Sequence, residues 1–280
     1  MKKYRVAFTL AEVFHPAEQS KRIASRIIRV VAGVTSRSNS RAGALRATAP
    51  YRKFGFTLAE VLITLGIIGV VAALTMPSLI ANHKKHVVET RLKKFYSTMN
   101  QAVQMAKTDY GDYRDWDFWL DNSYDEDGKL INKSDKVRKN VEKYFMPYLN
   151  IVDVKEIFDD EGNKINYLYY FPDGSAFRFG WYSTNDIFYY TNNPEKCMNS
   201  ENSSGKCMFN FQFNPLYCTV DWIKYCNKGI EPHKMRWRDN DINFLYTSPT
   251  YGCKATGGNY CAAVIQMNGW KIPKDYPLKF

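Results

Sequence analysis

The sequence predicts an α+β fold, with one long N-terminal helix followed by a β-rich region. Three observations carry this expectation. Residues 53–82, KFGFTLAEVLITLGIIGVVAALTMPSLIAN, contain an uncharged apolar run too long for a strand. Beyond it, apolar residues continue at helical intervals to about residue 106. The second half is rich in aromatics, among a total of 20 Tyr and 17 Phe, and is punctuated by turn signals, as β-structure requires.

In the apolar run, Val61 to Ile80 are 20 residues without a charge. At about 1.5 Å per residue they span roughly 30 Å, the thickness of a bilayer core. A cleaved secretory signal would have a shorter apolar stretch with a small residue after it, whereas here the small residue, Gly55, comes first. Pro77 removes one backbone donor and predicts a kink near Thr75–Pro77. Val88, Leu92, Phe95, Met99, Ala102 and Ala106 then recur every three or four residues, as on the buried face of an amphipathic helix. Gly111 and the charges of Asp109–Asp115 end it.

A second helix is predicted over 134–149, with Ser134 as cap and Val137, Val141, Phe145 and Leu149 on one face. Acidic turns flank it at Asp121–Gly128 and Asp159–Asn163; Asp125-Glu126-Asp127-Gly128 could ligate calcium but lacks EF-hand spacing, and a solvated turn is preferred. Strands are expected from near Ile165: Tyr167–Phe171, Ser175–Trp181, Asp186–Thr191 and Cys207–Phe213, with Pro172-Asp173-Gly174 as a hairpin turn. Cys261–Met267 reads as a last strand. The organisation is a basic leader (1–55), the long helix (56–108, its membrane part 58–81), a helix-loop region (109–165) and a β-rich head (166–280).

Charge and cysteine are both unevenly placed. The formal net charge is +11, yet residues 1–55 hold 12 of the 39 basic and 2 of the 28 acidic residues. The remainder is close to neutral, so no nucleic-acid partner is expected. All six cysteines fall between Cys197 and Cys261, an even number in one region, which points to disulfides and an oxidising compartment. No pair has zinc-ligand spacing, and no metal is expected. Six cysteines allow about 15 connectivities. Cys253–Cys261 is preferred, because two adjacent glycines lie in its short loop; Cys197–Cys207 and Cys218–Cys226 are the remaining short loops.

Catalysis finds no motif: there is no Walker loop, GxSxG, HExxH or dinucleotide fingerprint, and hence no expected cofactor. Of the histidines, His15 is in the leader, His83 and His86 follow the apolar run, and His233 lies in a predicted loop.

Glu60 is the exception in the apolar helix, because a carboxylate within a membrane span is costly. Cleavage after Gly55 would create an α-amine on Phe56, an opposite charge able to pair with Glu60 and offset its desolvation. The string Gly55-Phe56-Thr57-Leu58-Ala59-Glu60 followed by the apolar run resembles the prepilin signal of type IV pilins and type II secretion pseudopilins. The resemblance is specific over 53–82 and weak beyond. It implies a pilin-like fold and a structural, non-enzymatic subunit. It also implies cleavage after Gly55 by a prepilin peptidase, N-methylation of Phe56, and a helix-kinking role for Pro77. The implied partners are other pilin subunits and an inner-membrane assembly platform. A membrane-anchored surface binding protein or adhesin that does not polymerise is the alternative.

The leader departs from that family in its length of 55 residues and in an internal repeat. Phe8-Thr9-Leu10-Ala11-Glu12-Val13 anticipates Phe56–Val61 with an offset of 48. The first copy runs into Phe14-His15-Pro16, without an apolar run, and cannot serve as a signal. Met1 is the only methionine before Met76. A partial duplication, or an over-extended gene start, is preferred to a regulatory cytosolic tail, and Lys21–Ala49 is expected to be poorly ordered. Basic residues flank the span on both sides and do not set its orientation. The resemblance and the cysteines place the N-terminus in the cytoplasm and the head outside.

Overall fold

The computed structural model describes residues 5–6, 57–116, 134–180, 186–200, 203–213, 228–237, 241–254 and 258–280. Helix α1 is continuous from Leu58 to Tyr110 and runs through Pro77. Its residues up to Ala73 belong to one compact unit, and its remainder joins the head, Leu74–Phe280, with Met1–Phe8. Gly111 follows the helix, its N–H closing on the Lys107 carbonyl at 3.0 Å. All six residues predicted for the packed face, Val88, Leu92, Phe95, Met99, Ala102 and Ala106, are buried, and Val103 joins them.

Helix α2 spans Ser134–Tyr144 and is followed by a 3-10 turn at Met146–Tyr148. It stops short of the expected Leu149 because Pro147 has no N–H to continue the ladder and disfavours helical geometry before it. Val137, Val141, Phe145 and Leu149 are nevertheless all buried.

The sheet is an antiparallel meander of seven described strands in sequence order: β1 (Arg5–Val6), β2 (Asp153–Phe158), β3 (Lys164–Tyr170), β4 (Ala176–Phe179), β5 (Asp186–Tyr190), β6 (Met208–Phe213) and β7 (Ile230–Pro232). Six strands come from the head. The two-residue β1 comes from the leader, where no structure was expected, with Arg5 opposite Phe158 and Val6 opposite Ile157. The sheet begins earlier than the expected Ile165. Strand β2 has no clear sequence signal, because the adjacent charges Lys155-Glu156 break its apolar pattern.

Tyr169, Phe177, Tyr189 and Phe209 stand in register across β3 to β6 on the inner face. Phe95 of α1 lies on this row, stacked on Tyr189 at 4.0 Å and edge-on to Phe211 at 5.0 Å. The outer face carries a smaller cluster of Ile157, Leu168, Ala176, Tyr190 and Cys197. The short helix α3 (Pro194–Met198) supplies Cys197, which is disulfide-bonded to Cys207. With both faces buried, β4 and β6 read as runs of apolar and aromatic residues rather than as alternation.

Cys261–Met267 is a helix, α5, not the expected strand. Its first five residues are all buried, so the apolar run carries no periodicity to separate helix from strand. Ala262 and Ala263 favour the helix. A further short helix, α4 (Ile242–Thr247), precedes it, and Cys253–Cys261 forms the second disulfide. Cys218 and Cys226 lie outside the described residues, as do Lys21–Ala49 and the acidic turn Asp121–Gly128.

Polar contacts fasten α1 to the head. Arg91 donates to the Thr191 carbonyl and, at 2.7 Å, to that of Asp173. Lys94 pairs with the Asp173 carboxylate at 2.9 Å. Partial burial opposes ionisation of that carboxyl, but hydrogen bonds from Ser175 and Lys94 hold it down at about 2. Glu89 accepts from Lys271 Nζ and Ile272 N–H.

The β7 edge is closed by one side chain. Asn100 Nδ2 donates to the Ile230 carbonyl at 2.8 Å while its Oδ1 accepts the Ile230 N–H at 2.9 Å, as a neighbouring strand would. The approach is close enough that a Cβ on Gly229, which has φ +81°, would lie 2.3 Å from Asn100 Oδ1. Asn100→Ala strands two backbone groups and should cost about 1–3 kcal/mol. Denaturant unfolding of the detergent-solubilised chain checks this.

Candidate functional site

The site lies where α1 begins. Thr57 precedes the first helical residue, and Glu60 falls in the first turn. The Thr57 hydroxyl accepts the Glu60 N–H at 3.2 Å. In return, the Glu60 carboxylate accepts from the Thr57 N–H at 2.8 Å and the Thr57 hydroxyl at 2.9 Å. This is a reciprocal capping box, which satisfies donors that a helix start leaves unpaired. Its signature, Thr-x-x-Glu, stands in the sequence, where the carboxylate's place in an apolar segment points instead to an ionic partner. The box holds the carboxylate at the start of the helix, against residue 57. Gly55 and Phe56 lie outside the described residues.

Below the cap, α1 is apolar on all sides. Every residue from Thr57 to Ile80 is exposed except half-buried Ala72. Leu58, Leu62, Ile63, Leu65, Ile67, Ile68 and Leu74 each expose at least 60% of their surface. The helix is long and apolar enough to cross a membrane. Thr64 returns its hydroxyl to the Val61 carbonyl at 3.0 Å, so this polar group needs no water. Gly66 and Gly69 have open space where a Cβ would stand, leaving room for a close helix neighbour. Pro77 is within the helix and inside the uncharged run.

Of the described histidines, His83 and His86 are exposed on α1. His233, expected in a loop, is buried, with its ring centroid 5.4 Å from that of Tyr251 and 5.8 Å from that of Tyr260. Among the described residues, no group of three or more His, Cys, Asp or Glu is placed to hold a metal ion.

One long helix followed by an antiparallel sheet makes an α+β fold of pilin-like architecture. Residues 51–76 match the prokaryotic N-terminal methylation motif, which supports a prepilin-type signal. Residues 78–280, most of the chain, match a family of unknown function (DUF6613), and the chain belongs to that family. No curated protein and no solved structure matches the chain.

Proposed function

We propose that this chain is a structural subunit of a type IV pilus or a type II secretion pseudopilus, made as a precursor and assembled through the apolar half of α1. The observation that carries the reading is one helix bearing a methylation motif at its start and exposed apolar side chains between Leu58 and Ile80. In this reading, a prepilin peptidase removes residues 1–55 and N-methylates Phe56. The span first sits in the inner membrane, with its N-terminus in the cytoplasm and the disulfide-bonded head outside. Other pilin subunits and an inner-membrane assembly platform then draw it into a filament. The role is structural rather than enzymatic, and no cofactor enters it.

Glu60 is the residue that couples processing to assembly. Once Gly55 is cut, the new amine on Phe56 is adjacent to Thr57, whose N–H already bonds the Glu60 carboxylate. The carboxylate is thus positioned at the helix start for that amine, or for the amine of an adjacent subunit. Glu60→Val removes a charge from the span, so membrane insertion should persist. Incorporation into sheared filaments, scored by immunoblot against the membrane pool, should fall to background. Assembly at the parent level would remove Glu60 from the mechanism and favour an anchored binding protein that does not polymerise.

A further inference from the structure

Where the sheet edge meets α5, three side chains converge that the assembly reading leaves unused. Glu231 lies in β7 and Lys234 two residues beyond it; both are buried, at 7% and 8% exposure. Gln266 reaches them from α5. Lys234 Nζ donates to Gln266 Oε1 and, at 3.2 Å, to Glu231 Oε2. The same carboxylate oxygen accepts Gln266 Nε2–H at 3.1 Å. The other oxygen, Oε1, accepts the Tyr96 hydroxyl at 2.7 Å. An amine, a carboxamide and a carboxylate therefore form a closed triangle largely withdrawn from water. Nucleophile, electrophile and proton carrier are held together by the fold, which is what amide exchange requires.

We propose that Lys234 and Gln266 become joined by an isopeptide bond, formed within the folded chain with Glu231 as proton carrier. Glu231 first takes a proton from the Lys234 ammonium, leaving the neutral amine. The Nζ lone pair attacks Gln266 Cδ, a C–N bond forms, and the carbonyl pair moves onto Oε1. Protonated Glu231 gives its proton to Nε2. The carbonyl re-forms, the Cδ–Nε2 bond breaks, and ammonia departs. The extra proton on Nζ passes to Glu231 and leaves with ammonia as ammonium, restoring the carboxylate. No oxidant or other co-reactant is consumed.

Burial draws the Lys234 ammonium below the usual lysine range, against the opposing pull of Glu231. This raises the share of neutral amine. The bond would tie the sheet edge to α5 across a sequence separation of 32 residues. The Cys253–Cys261 disulfide lies inside that stretch. Such a tie holds the C-terminal part of the head against the same edge that α1 grips through Asn100.

The test is a tryptic map of the full chain extracted from membranes, reduced and alkylated before digestion. The expected result is a branched peptide joining residues 229–236 to residues 255–271, lighter than its two parts by one ammonia, with no cleavage after Lys234. Glu231→Gln keeps the shape of the side chain but cannot accept the proton, and should yield the two segments as separate peptides. Separate peptides from the parent chain, with ordinary cleavage after Lys234, would overturn the proposal whatever the variant does. A branched peptide persisting in Glu231→Gln would overturn the role given to that carboxylate.

Discussion

Replacing Gly55 by leucine should leave the precursor uncut and abolish assembly. In the proposed reading Gly55 stands before the scissile bond, and a leucine there would add a branched side chain at a position that has none. Uncut, the chain keeps residues 1–55, a strongly basic segment with 12 Lys and Arg against 2 acidic residues. Its presence at the helix start denies Glu60 the free amine and puts a large charged chain where apolar helices must pack. Transferring such charges into a helix bundle or bilayer is costly. On a denaturing gel the variant should migrate at precursor mass in the membrane fraction, with no sheared filament. Insertion should continue, because the apolar segment 61–80 is untouched. Normal maturation of Gly55→Leu would move the cleavage site elsewhere and remove the basis for treating residues 1–55 as a leader.

The second large effect is on the head. Phe95→Ala should destabilise it by about 3–5 kcal/mol, the usual range for deleting a buried phenylalanine. Phe95 is 2% exposed and sits at the centre of the aromatic layer. It stacks on Tyr189 and meets Phe171, Phe177 and Phe211 with centroids at 6.3, 6.0 and 5.0 Å. Removing it opens a cavity between α1 and the sheet and loses several ring contacts together. A typical domain has only about 5–15 kcal/mol of stability to lose. Urea unfolding of the detergent-solubilised chain, followed by tryptophan fluorescence, should show a sharply lower midpoint. Lys93→Ala, on the exposed side of the same turn, should shift stability by no more than about 0.5 kcal/mol. Equal midpoints for Phe95→Ala and the parent would mean that α1 does not pack on the sheet as described.

The parts of the fold that were legible in the sequence are those with a strong period. The alternating spacing of four and three residues from Val88 to Ala106 marks the buried face of α1, residue by residue. The β3–β4 hairpin was marked by Pro172-Asp173-Gly174, with Gly174 at φ +77°. What was missed lacked a period or was masked by charge. Strand β2 carries Lys155 and Glu156 side by side, and β7 is three residues ending in Pro232. The first five residues of helix α5 are all buried, so that run has no polar face to read. At the functional site, the Gly55–Glu60 string was legible as a processing signal. The Thr57–Glu60 cap is encoded in the same six residues, but a charge in an apolar segment is the stronger local signal. The Glu231–Lys234–Gln266 triangle could not be read at all, since Gln266 comes from a segment expected to be a strand, and nothing local links positions 35 residues apart.

The identity of the mature N-terminus tests the central claim most directly. Mass spectrometry of protein sheared from cells with an active prepilin peptidase should find N-methylated Phe56 as the first residue, with residues 1–55 absent. A chain that keeps Met1 in such cells, or that begins at Phe56 yet is never recovered in a sheared filament fraction, would contradict a processed and assembled subunit.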